Sequence, residues 1–96
     1  MSDIRQRLQG DIANISWKEI IPHAKRDAVV VIDEKLDLLD VAEAIALDKT
    51  KVVNGWIAEN LIKKPSMTEL THWNDNPEIK FTTAIVQPFV IIQAVS

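Results

Sequence analysis

Apolar residues near the start of the chain, Ile4, Leu8 and Ile12, recur every four positions and Ile15 closes the stripe, which predicts one face of a helix. Ser2 precedes this run as a candidate N-cap, and Gly10 interrupts it at a cost of about 1 kcal/mol against alanine. Ser16-Trp17-Lys18-Glu19 has the spelling of a capping box and predicts a second helix, which Pro22 should end early or kink. Ala28 to Ile32 is continuous, mostly β-branched and too short for a helix, so it reads as a strand buried on both faces. Asp37 is the expected cap of a third helix reaching to about Leu47, with Leu38, Val41, Ala42, Ile45 and Ala46 on one side. Asp48 is the expected cap of a fourth, in which Val52, Val53, Trp56 and Ile57 face inward, and Asn60 should stop it in a left-handed conformation. Lys63-Lys64-Pro65 reads as a loop. Ser66-Met67-Thr68-Glu69 then repeats the capping box for a short helix with Met67, Leu70 and Trp73 spaced by three. Beyond a turn at Asn74 to Pro77, the tail from Ile79 to Val95 reads as strand on both sides of Gln87-Pro88, which is either a hairpin turn or a bulge.

This order of elements predicts an α+β fold: a single compact domain over residues 1–96, with four to five helices packed on a small, mainly antiparallel sheet. A winged-helix-like order is also compatible with it. Hydrophobic residues make up 47% and charged ones 26%, a balance that argues for a self-sufficient globular core and against disorder. The absence of cysteine excludes disulfides, thiolate catalysis and cysteine zinc sites, and fits a reducing compartment. Apolar runs of at most five residues, and three charges within Met1 to Gly10, lead us to expect neither a membrane span nor a signal peptide, hence a cytoplasmic protein.

Candidate chemistry is sparse. Ser16 and Ser66 are explained as caps, and no lysine sits in the apolar surroundings that would lower its pKa. His23 lies near a helix end, where an imidazolium meets the negative end of the dipole. His72 with Asp75 could begin a metal site, but zinc takes three or four ligands and no second histidine accompanies them in sequence. The acidic stretch of Asp33, Glu34, Asp37, Asp40 and Glu43 lacks the glycine turn of a calcium loop, and Gly10 and Gly55 are too few for a phosphate loop. Val41 to Val52 loosely resembles the first helix and turn of a helix-turn-helix protein, with Ala46 where that pattern has glycine. Charge opposes the corresponding function: Asp33 to Asp48 holds six acids against Lys35, and the chain carries net charge −3, whereas DNA affinity comes mainly from cations on phosphates.

At the tail, Ala84-Ile85-Val86-Gln87-Pro88-Phe89-Val90-Ile91-Ile92-Gln93 resembles the closing motif of a small bacterial family of uncharacterised proteins, domain of unknown function 2288. Ser16-Trp17 with Glu19, Leu36-Asp37-Leu38, Gly55-Trp56-Ile57 and Lys64-Pro65-Ser66 are similar to further stretches of that family. The resemblance spans nearly the whole chain and implies one domain; it implies no activity, cofactor or catalytic residue.

The function expected from the residues is therefore a non-enzymatic interaction or regulatory module without cofactor or metal, self-associating as a homodimer and contacting a further protein. Trp73, Phe89, Val90 and Ile91 are the expected binding residues. An apolar tail in a sheet of two or three strands leaves an open edge and a face for a second copy to cover, whereas Trp73 is an amphipathic anchor near a helix end. The alternatives are a winged-helix-like nucleic-acid-binding regulator and a small hydrolytic or metal-dependent enzyme resting on His72 and Asp75.

Overall fold

The computed structural model describes residues 3–95, so the cap at Ser2 lies outside the described residues. They form, in chain order, α1 (Asp3–Asp11), β1 (Ala13–Ser16), α2 (Trp17–Lys25), β2 (Val29–Ile32), α3 (Leu38–Ala46), α4 (Thr50–Ala58), β3 (Ile62–Lys63), α5 (Met67–Asp75), β4 (Lys80–Val86) and β5 (Phe89–Ala94). The strands make one sheet in the order β1-β4-β5-β2-β3, with β2 and β5 parallel and the other neighbours antiparallel. The fold is α+β.

Successive side chains of a strand point to opposite faces, and in β5 both faces are covered. Ile91 joins Leu8 of α1, Val41 of α3, Ile32 and Ala84 in one apolar cluster. Val90 and Ile92 join Trp17 and Ile20 of α2, Trp73 of α5 and Phe81 in the other. The sheet is thus the middle of three layers, which explains why Val29–Ile32 and the tail are apolar without alternation. The second cluster is built around three rings. Trp73 lies 5.0 Å from Trp17 and 4.9 Å from Phe81, the latter edge to face, and the Trp17 indole N–H donates to Asn74 Oδ1 at 2.8 Å.

Several expectations are corrected. The tail is not an edge: β4 lies between β1 and β5, and β5 between β4 and β2, so the edges are β1 and β3. Gln87-Pro88, joined by a cis peptide bond, is the turn between β4 and β5 rather than a bulge. Ile15 belongs to β1, where it pairs with Phe81, rather than to the first helix. Pro22 lies inside α2, which continues to Lys25. Ile62–Lys63 pairs with Val31–Ile32, so the loop read at Lys63 begins as a strand. Met67 is 79% exposed and does not share the inward face of Trp73.

The ends of α2, α3 and α4 follow one plan. Asp27, Asp48 and Asn60 have φ of 58°, 58° and 65°, and each stands one residue beyond the helix C-cap. Their N–H groups donate to the carbonyls of Ala24, Ile45 and Ile57, and the next N–H in each case reaches one residue further back, to His23, Ala44 and Trp56. These are Schellman closures with Asp or Asn in the place usually held by glycine. Asn60 is the expected stop. Asp48 ends α3 instead of capping α4, whose N-cap is Lys49 without a side-chain bond.

Candidate functional site

The turn at Asp48 joins α3 to α4, which contact each other, but α4 is held loosely. Val53 and Trp56 pack against the first cluster, while Val52 and Ile57, expected to face inward, are 46% and 49% exposed. No residue of α4 is fully buried. Between this helix and the sheet lies an apolar groove of about 410 Å3, walled by Val30 of β2, Ala44 and Ile45 of α3, Val53 and Ile57 of α4, Ile62 of β3 and Phe89 of β5. Its polar lining comes from Asp48, Lys49, Thr50, Asn54, Lys63 and Lys64.

Two of these lysines are tied down. Lys64 Nζ lies 2.9 Å from Asp27 Oδ2 and donates to the Asp27 carbonyl, and Lys63 Nζ lies 3.5 Å from Glu69 Oε1. Among the described residues no carboxylate comes within ion-pair distance of Lys49. Elsewhere the acidic stretch is engaged in structure. Asp33 accepts from the Lys35 N–H and Asp37 from the Leu39 N–H. Asp40 and Glu43 hold Arg5 at 2.9 Å and 3.1 Å, and the hydrogen bond to Asp40 raises the guanidinium pKa further above its ordinary value.

Of the expected binding residues, only Phe89 reaches this groove; it is 37% exposed. Trp73 is corrected to an interior ring, and Val90 and Ile91 to core positions on opposite faces, at 8%, 3% and 0% exposure. A central strand is covered on both faces through its middle, which leaves its ends accessible, Phe89 at the start and Ala94 at the finish. His72 is exposed on α5, with its backbone carbonyl accepting from Asn76, and His23 Nδ1 lies 2.6 Å from Arg26 Nη2. Among the described residues no three His, Asp or Glu side chains converge as metal ligands. Ser66 serves as the cap of α5. Sequence reasoning missed Ala44, Ile62 and the three lysines; the available signal was the breadth of the α4 stripe, more apolar positions than one neighbouring helix covers.

No described helix is long and apolar enough to cross a membrane. Residues 3–94 match a family model described as a protein of unknown function, DUF2288. The NMR solution structure of PA1075 from Pseudomonas aeruginosa is similar to this fold with a TM-score of 0.82 at 29% identity, over 100% of this chain and 89% of that one. No curated protein matches the chain.

Proposed function

Because the chain belongs to the DUF2288 family of proteins of unknown function, its surface has to supply the reading, and we propose a non-enzymatic binding module of the interaction or regulatory kind. Its binding site is the α4 groove. The observation that carries this is an open apolar cavity of about 410 Å3 under a helix with no fully buried residue. Small-ligand sites span roughly 300–1,000 Å3 and are mostly apolar, with a few polar groups at their margin. The non-catalytic part is supported by the positions of the candidate groups. Ser66 is spent on a cap, and His23 and His72 lie outside the groove. Duplex DNA is not the partner in this reading, since the segment that includes α3 is the most acidic of the chain. We place the protein in the cytoplasm, where a cysteine-free chain needs no oxidant.

An NMR titration of the full chain with indole, a neutral apolar probe, tests the site. Saturable amide shifts confined to Ala44, Ile45, Val53, Ile57 and Phe89 are expected; shifts elsewhere, or none, would overturn it. For self-association the open ladder moves from the tail to β1, which among the described residues is paired only with β4 and exposes Ala13 and Asn14. We propose a two-fold dimer through β1. Light scattering at high micromolar concentration should then give twice the chain mass, and a single-chain mass removes this dimer while leaving the groove untouched.

A further inference from the structure

We infer that Asn54 is a site of spontaneous covalent modification, its carboxamide displaced by the Gly55 nitrogen when α4 unwinds, and that the isoaspartyl product leaves α4 unable to re-form. This does not depend on what the groove binds. Asn54-Gly55 is the chain's one Asn-Gly pair, both residues are exposed, and glycine has no Cβ to hinder the approach of its nitrogen. Inside a helix that nitrogen is held in the backbone ladder, so the reaction waits on local opening. Four features make α4 the helix that opens. Among the described residues it is the one helix without a buried side chain: Val53 and Trp56 are half-buried and its other residues are exposed. Its N-cap, Lys49, makes no side-chain bond, and neither an acid in the first turn nor a base in the last complements its dipole. Asp48 and Asn60, on either side of it, hold positive φ that unwinding relieves. Gly55 weakens the helix without serving its packing, since a Cβ there would meet no atom within 4 Å. On opening, the Gly55 nitrogen gives its proton to water or hydroxide and bonds to Asn54 Cγ. The Cγ–Nδ2 bond breaks, and the nitrogen leaves as ammonia with a proton from solvent. Water then opens the succinimide ring at either carbonyl to give aspartate or isoaspartate, so the net exchange is one water for one ammonia. Isoaspartate adds a methylene to the main chain and interrupts the regular ladder of the helix. Either product places a new carboxylate on the lining of the groove, which Asn54 shares.

The test is to incubate the full chain at mildly alkaline pH and follow each asparagine by mass spectrometry of tryptic peptides, where the exchange of NH2 for OH is read directly. The peptide of residues 52–63 holds both Asn54 and Asn60, which its fragment ions separate. Asn54 should convert first, well ahead of Asn14, Asn60, Asn74 and Asn76. Gly55→Ala should stop the conversion over the same period. Lys49→Asp, which gives α4 a capping oxygen and leaves the Asn-Gly pair intact, should slow it about fivefold. Ser66→Ala should leave the rate unchanged, whereas a reaction through global unfolding would run about fivefold faster in that variant. In the NMR spectrum of the isoaspartyl fraction the amides of α4 should move to unfolded positions while those of β4 and β5 stay. Conversion of Asn54 no faster than that of the other asparagines overturns the inference, as does acceleration by Ser66→Ala or a rate indifferent to Lys49→Asp. An isoaspartyl form whose α4 amides keep their folded shifts overturns the release of the helix.

Discussion

Ser16 and Ser66 begin helices with the same Ser-x-x-Glu spelling and are used differently. At Ser66 the hydroxyl accepts from the Glu69 N–H at 3.1 Å and the Glu69 carboxylate accepts from the Ser66 N–H at 2.9 Å, a complete capping box. Ser16 occupies the N-cap without a side-chain bond to the backbone. It is also the last residue of β1, paired with Lys80, so its backbone is placed by the sheet. The first amides of α2 are taken by the segment leading into β4: Trp17 N–H donates to the Ile79 carbonyl at 2.7 Å and Lys18 N–H to that of Pro77 at 3.0 Å. Ser66→Ala is therefore expected to destabilise the protein by about 1 kcal/mol in urea melts. Ser16→Ala should stay within about 0.5 kcal/mol of wild type, and an equal loss for both would contradict the distinction. The local spelling was legible at Ser66 and Asp37; at Ser16 a long-range carbonyl won, and no local pattern announces that.

At the scale of elements, helix ends carry a shared strain. Left-handed conformation costs an L-residue roughly 1–2 kcal/mol, which glycine avoids. Asp48→Gly and Asn60→Gly should each raise stability by up to about 1 kcal/mol, read as a higher midpoint in thermal or urea melts. Asp27→Gly should gain less, because it also removes the ion pair with Lys64. A loss at Asp48 and Asn60 would refute the strain argument. The helical periodicities of α3 and the buried run of β2 were legible in the sequence because each is decided by its own apolar pattern. β1 was not, since Ile12 and Ile15 continue the spacing of Ile4 and Leu8, and only pairing with β4 turns that segment into a strand. Asp48 was misread for a related reason: three residues separate the two helices, and a polar residue there serves either end equally well on paper. The groove was illegible because it arises from the loose seating of α4.

For the whole molecule, the α+β class and the single domain follow from local element order, whereas which strand sits at the edge depends on contacts between distant segments. The five-residue apolar run and the tail were each read as strands, but their parallel pairing, Val30 beside Ile91, joins residues far apart in the chain. That pairing makes the sheet's centre out of the segment that a ribosome supplies after everything else described here. Until β5 has emerged, β2–β3 and β1–β4 are two separate ribbons with no strand between them, and two-stranded ribbons are marginal in water. Folding of this domain is therefore held back until synthesis has passed residue 94, and the nascent chain exposes its apolar faces to chaperones for that interval. A chain ending at Val86 should show no cooperative melt and collapsed amide dispersion; a cooperative transition from it would show that the two ribbons can be joined without their central strand.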